Sequence, residues 1–209
     1  MPRGREAVLN AAIEVFARKG YAGSSIREIC LSAGVTKPVL YYHFRSKEHL
    51  YQELMIDCFS FSLKNMLQAS KSAGSLRERL VRIVHEDLQS VRKFPVRAQF
   101  VLRMIFSPES DQPYFDFVRE SERERDVIAT VLREGIEGGQ IRGDARELAT
   151  NLMGMDLMVI LEYLCTGRST LTRKRAERNV DLLLGGCSAV INRAGDLTVA
   201  PARRCGTAV

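Results

Sequence analysis

The run GVTKPVLYYHFRSK, residues 34–47, gathers side chains with a particular chemistry. Lys37, Arg45 and Lys47 bring positive charge, Tyr41 and Tyr42 bring aromatic hydroxyls, and His43 brings a ring that donates or accepts. Such a mixture is awkward inside a core and too apolar for a loop. It suits contact with a polyanion: Lys37 matches a guanine edge or a phosphate, Pro38 a thymine methyl, and the hydroxyls phosphate oxygens. Read alone, Tyr41 and Tyr42 could equally be half-buried rings with wet hydroxyls. The elements around them decide between the two.

Apolar residues here repeat near 3.6, and almost nothing alternates with period two, so the chain is expected to be all-α with about nine helices. A first helix over 5–19 carries Leu9, Ala12, Ile13 and Phe16 on one stripe and ends at Gly20. Ser25 and Glu28 have capping-box spacing for a second, whose apolar positions Ile26, Ile29, Cys30 and Ala33 share a face. Gly34 breaks it, Thr36 caps a short third helix with Pro38 in its first turn, and Ser46 caps a fourth. Two helices joined by a tight turn at Gly34 make a helix-turn-helix, in which the second enters the DNA major groove. Val35, Leu40 and Phe44 then face inward, while Lys37, Pro38 and Tyr41 face outward.

The stretch GYAGSSIREICLSAGVTKPVLYYHFRSKEHLY, residues 20–51, resembles the DNA-binding domain of the TetR/AcrR family of transcriptional regulators, most specifically in its Y-Y-H-F-x-S-K-E-x-L portion. The resemblance implies a role for each matching position. Ser25 and Arg27 would reach a phosphate or a base edge, and Thr36, Lys37, Pro38 and Val39 would supply groove contacts. Tyr41, Tyr42 and His43 would touch phosphates or thymine methyls. Lys47 would bind a phosphate beside the amides of the fourth helix, and Arg3 and Arg5 would add backbone contacts from a flexible arm. Cys30 departs from the alanine usual at its position.

Longer helices follow over 46–71, 75–94, 96–106, 113–137, 144–165 and 172–193, and residues after Ala194 read as a loose tail. The organisation expected is a helix-turn-helix domain at 1–45, a ligand-binding and dimerisation domain at 46–194 and a flexible tail at 195–209. Phe59, Met66, Phe100, Met104, Phe115, Met155 and Met158 are either plain core or the lining of an apolar pocket. Arg103 and Asp156, in apolar surroundings, either pair locally or orient the polar group of a ligand. The family resemblance implies such a pocket for a small, apolar effector. Gly185, Gly186 and Ala189 sit in an apolar helix, where glycine propagates poorly. They suit close approach across a subunit interface, and the resemblance implies a homodimer built there.

The whole chain narrows the alternatives. Its 209 residues carry 45% hydrophobic and 27% charged side chains, which is globular composition. Residues 1–50 hold eight Lys/Arg against four Asp/Glu, whereas residues 51–166 hold fifteen against eighteen, which confines the basic patch to the N-terminal piece. Asp156 and Glu162 interrupt the longest apolar run, LMGMDLMVILEYL, and the start has no apolar stretch after its arginines. A cytoplasmic location is therefore expected. Five scattered cysteines without a C-x-x-C pair argue against zinc and a disulfide framework. HEDLQ at 85–89 has Gln89 where a metalloprotease helix needs its second histidine, and no cofactor motif or catalytic constellation is visible. An enzyme or carrier with a basic N-terminus is thus disfavoured. The expected function is a repressor that binds a palindrome in double-stranded DNA as a dimer and releases it on binding an effector. A constitutive regulator, or one controlled by a protein partner, is the alternative.

Overall fold

The computed structural model describes residues 2–187. Among these stand nine α-helices and no strand: α1 (Pro2–Lys19), α2 (Ile26–Ala33), α3 (Lys37–His43), α4 (Lys47–Ser70), α5 (Leu76–Lys93), α6 (Pro95–Ile105), α7 (Phe117–Glu137), α8 (Ala145–Thr166) and α9 (Arg173–Cys187). One 3-10 turn, Glu109–Asp111, lies between α6 and α7. Ala189, the end of the 172–193 helix and the 195–209 tail lie outside the described residues.

The helix ends explain the N-terminal architecture. Ser25 accepts a hydrogen bond from the Glu28 amide at 3.2 Å, and Ser46 accepts one from the His49 amide at 3.0 Å. Gly34 ends α2 with φ +64, a left-handed conformation in which a side chain would be strained. Its turn brings α3 back onto α1. Val8, Ala12 and Phe16 of α1 then bury against Ile29, Leu40 and Phe44. The same cluster takes in Leu50, Tyr51, Leu54 and Phe59 from α4, together with Phe100 and Met104 from α6. The N-terminal core therefore reaches well past residue 45.

A second core surrounds α5. Leu80, Ile83, Val84 and Leu88 pack against Ile128, Val131 and Leu132 of α7, Leu152 and Val159 of α8, and Val180 and Leu183 of α9. Ser75 and Glu78 form the expected capping box on α5, and Asp144 caps α8 by accepting two amide hydrogen bonds at 2.9 Å.

Three details differ from the sequence reading. Residues before 5 are helical rather than a loose arm, and Arg5 is held to Glu53 at 2.7 Å with its guanidinium over the Phe44 ring. Helix α7 begins at Phe117, not 113, because Asp116 caps it by accepting from the Arg119 amide at 3.0 Å. Just upstream, Gln112 donates to the Met104 carbonyl at 2.6 Å and accepts from the Tyr51 hydroxyl at 3.3 Å, so that segment crosses the N-terminal core instead of coiling. Finally, α8 is, by length and composition, apolar enough to cross a membrane, contrary to the reading of its charges. Its apolarity serves packing on α7 and α9, with Leu157 and Met158 left exposed.

Phe100 is fully buried, 5.9 Å from the Phe16 ring and 6.2 Å from the Tyr51 ring. Phe100→Ala is expected to cost ~3–5 kcal/mol by leaving a cavity between α1 and α6. A urea-unfolding midpoint equal to that of the parent chain would contradict this packing.

Candidate nucleic-acid interface and inner cavity

Helix α3 is only seven residues long and buries one of them, Leu40. Every other position except the half-buried His43 is open, including Lys37, Pro38, Val39, Tyr41 and Tyr42, the last 83% exposed. Thr36 makes no side-chain capping bond, so its hydroxyl is available at the same end. Arg27 projects from α2, and Arg45 stands between α3 and α4, also exposed. Arg27, Lys37 and Arg45 enter no ion pair among the described residues, in contrast with Arg18 and Lys19, which Glu28 engages at 3.2 and 2.8 Å. The exposed surface of α2, α3 and the turn into α4 thus carries cations without ion pairs, hydroxyls and aromatic edges. From the sequence Arg45 was noted only for its charge and was given no contact role, although it adjoins the Ser46 cap.

Two expected contact residues are less free than the others. His43 packs edge-on to Tyr42 at 4.9 Å, with its Nε2 close against Gly4. Lys47 donates from Nζ to the Ser24 carbonyl at 2.7 Å and lies 4.1 Å from the Tyr21 ring centroid. Burial pushes its ammonium below the usual lysine range. The structure therefore places Lys47 as a strut between the start of α4 and the turn before α2, not as a dangling cation. Ser25 is occupied by its cap but retains its hydroxyl hydrogen.

Between α4, α5, α6, α7 and α8 lies a cavity of about 480 Å³, within the ~300–1,000 Å³ of small-molecule sites. Phe59, Met66 and Asp156 line it, together with Ile83, Val84, Val101 and Leu102. The other pocket residues expected from the sequence lie elsewhere. Phe100 and Met104 fill the N-terminal core, and Arg103, on the same side of α6, donates to the Ala17 carbonyl at 3.5 Å. Phe115 stacks on Phe59 at 5.7 Å, behind the wall. Met155 packs into the second core, and Met158 is 65% exposed. The physical reason is rotation: one residue along a helix turns the side chain by about 100°, so Asp156 enters the cavity while Met155 and Met158 do not.

The cavity also holds polar residues that the sequence reading passed over. Asp87 and Glu124 reach it from α5 and α7, beside Arg125. A signal existed: Asp87 falls on the stripe formed by Leu80, Val84, Leu88 and Val91, and Glu124 extends that of Val127, Ile128, Val131 and Leu132. Burial pushes the Asp87 carboxyl up to about 6. Glu124 rises to about 7, chiefly by burial and secondarily by the charge of Asp87, against a hydrogen bond with Ser62. Asp156 rises to about 7 by burial, although it accepts a hydrogen bond from the Asn179 amide at 2.8 Å. Burial likewise holds Cys58 up at about 12, which leaves that thiol unreactive.

On α8 and α9, a Cβ added to Gly154, which borders the cavity, or to Gly185 or Gly186 would meet nothing within 4 Å. Leu157, Met158 and Leu182 are exposed on the same helices.

The three cavity carboxyls give the fold a pH dependence of known sign. Each has a folded pKa above its unfolded value, so its neutral form is favoured by folding; that contribution is complete below pH ~4 and is lost as pH rises through 6 to 7. Asp87→Asn, which cannot ionise, is expected to gain stability over the parent between pH 4 and pH 8, with most of the gain made between the unfolded and folded pKa values. The limiting slope of the difference is about 1.4 kcal/mol per pH unit. Thermal unfolding at the two pH values checks it, and an unchanged difference would refute it.

Comparison with known proteins agrees with this geometry. Residues 8–54 match the family model described as bacterial regulatory proteins, tetR family. The HTH-type transcriptional repressor KstR2 of Mycolicibacterium smegmatis is 30% identical over 142 residues, covering 67% of this chain and 68% of that protein. Among solved structures, the ketosteroid transcriptional regulator KstR2 of Mycobacterium tuberculosis superposes with a TM-score of 0.70 at 23% identity, over 87% of this chain and 93% of that one. The regulator FadR from Bacillus subtilis, in complex with stearoyl-CoA, does so with a TM-score of 0.70 at 19% identity, over 87% and 98%. The two structures bear on the fold, and the repressor and the family model bear on the lineage. This chain, with its helix-turn-helix at residues 26–43, belongs to the TetR family of bacterial transcriptional regulators.

Proposed function

We propose that the chain is a homodimeric repressor that binds a palindromic operator and releases it when a largely apolar effector enters the cavity. One observation carries this reading: α6 is shared between the cavity and the core beneath the DNA-binding helices. Val101 and Leu102 face the cavity, whereas Phe100 and Met104 face α1. An effector that moves α6 must disturb the seat of α1, on which α2 and α3 rest. The relatives support the effector class, since one is crystallised with stearoyl-CoA and another is named for ketosteroids. Phe59, Phe61 and Met66 also bring α4 to the cavity wall.

At the DNA, Lys37, Pro38 and Val39 would read the major groove, while Thr36, Tyr41, Tyr42 and Arg27 would hold phosphates or methyl groups. Two such units are needed, because one helix-turn-helix contacts only a few base pairs and two-fold dimers read palindromes. The exposed apolar face of α8 and α9 around Gly185 and Gly186 is the proposed dimer surface. A constitutive regulator would retain the DNA contacts but show no coupling to any ligand.

Arg45→Ala is expected to flatten the salt dependence of operator binding by about one counterion. Lys47→Ala should instead leave that slope almost unchanged and lower thermal stability, because its ammonium is spent on Ser24 and Tyr21. Fluorescence anisotropy titrations from low to moderate salt separate the two, and equal slopes for both variants would overturn the assignment. For assembly, Leu182→Glu is expected to give monomers in analytical ultracentrifugation and to lose specific operator binding. A stable dimer of that variant would move the interface elsewhere.

A further inference from the structure

The cavity is apolar over most of its wall, yet three carboxyl groups open into it from three different helices: Asp87 from α5, Glu124 from α7 and Asp156 from α8. Asp156 is only 6% exposed. Among the described residues Asp87 has no hydrogen bond or ion pair, and burial raises its carboxyl. Against the three stand two guanidinium groups. Arg97, from α6, is already committed to Asp57 of α4 at 2.9 Å and lies over the Phe61 and Phe94 rings. Arg125 of α7 supplies the remaining charge, and its buried Nε–H has no acceptor among the described residues. No other described residue lining the cavity carries charge.

A purely apolar effector would leave this polar cluster unanswered. An anionic head would meet three carboxyls and at most one free guanidinium. A metal ion does not fit either, since among the described residues no three His, Cys, Asp or Glu side chains stand close enough to hold one. Carboxyls spread around the walls of a 480 Å³ space suit a larger, diffuse positive charge.

We propose that the cavity takes an amphiphilic organic cation, an apolar body ending in an ammonium or amidinium group seated between Asp87, Glu124 and Asp156. This rests on the reading of the cavity as the effector site and narrows the effector's chemical class. In the empty protein the carboxyls are partly protonated near neutral pH; the ligand's cation takes the place of those protons, which leave to solvent. Atoms and charge balance, and nothing else is consumed. Arg125 Nε–H would meet an acceptor atom on the ligand next to its charge, or one of the carboxylates freed by proton release.

The sign of the pH dependence separates this proposal from its competitors. A cation that displaces protons binds more tightly as pH rises through 6 to 7, by at most a factor of ten per pH unit for each proton released. A neutral or anionic ligand that needs the carboxyls protonated binds more tightly as pH falls.

The test uses the full-length chain and three probes that share one tail: n-decylamine, n-decanol and n-decanoate. Isothermal titration at pH 6 and pH 8, in two buffers of different ionisation enthalpy, gives affinity and proton release. Decylamine is expected to bind about tenfold or more tightly than decanol, to gain affinity from pH 6 to pH 8, and to release protons. Asp87→Asn should weaken decylamine about tenfold and leave decanol equal or tighter, which a merely structural Asp87 would not do. If decanol or decanoate binds as tightly as the amine, or if amine binding does not change with pH, the cation assignment is wrong. The effector reading survives that result provided the bound probe also lowers operator affinity. If none of the three binds, both readings fail together.

Discussion

The ring contacts of Phe100 with Phe16 and Tyr51 hold α6 against α1, and both halves of the molecule depend on that contact. Each aromatic pair of this kind contributes ~0.5–1.5 kcal/mol beyond burial. Their larger consequence is geometric. Helix α6 has eleven residues, so it is too short to bend and absorb a displacement along its length. Whatever moves its cavity side moves its α1 side as a body. Interiors packed at crystal-like density respond to such a shift by repacking into another arrangement rather than by yielding continuously.

The cavity is maintained at a cost to stability. Apolar side chains at the positions of Asp87 and Glu124 would continue the stripes of α5 and α7 and close the space. Instead those two residues, with Asp156, hold buried carboxyls that must be protonated or partnered. Asn179 stabilises one of them from α9 at 2.8 Å, and Ser62 another from α4. Five helices therefore contribute to one polar cluster inside an otherwise apolar bundle. Local choices that oppose the global packing mark functional sites more often than accidents.

Much of the architecture was legible because helix ends are written in residue types. Ser25, Gly34, Ser46 and Ser75 each name a boundary by their own chemistry, and the structure puts them at those boundaries. The cavity was harder, because the sequence shows that a helix is amphipathic but not which neighbour its apolar side meets. Helix α6 has apolar residues on both sides, and Phe100 and Leu102 differ by two positions while packing in different cores. Asp87 and Glu124 carried a readable sign, a charge in an apolar register, which ordinary surface helices also show at lower burial. The engagement of Lys47 could not be read at all. It depends on a backbone carbonyl at Ser24, and carbonyls leave no trace in residue identity.

A seven-residue helix has almost no stability of its own, because forming its first turn fixes several dihedrals for a single hydrogen bond. The orientation of α3 is consequently borrowed from its surroundings: Leu40 and Phe44 seat it on α1, and α4 follows it at once. The start of α4 is in turn fixed by Lys47, whose ammonium lies over Tyr21; Tyr21 stacks on Phe16 at 5.8 Å, and Phe16 stacks on Phe100. Four side chains thus run in contact from the first turn of α4 to the α1-facing side of α6. Spatial continuity is not itself coupling. It does define what coupling would require here, namely an α6 displacement that changes the Phe16 ring position and therefore the seat of Tyr21 and Lys47. Because linkage is reciprocal, holding α3 rigidly on DNA must then bias α6, and with it the cavity, by the same free energy that an effector exerts in the other direction.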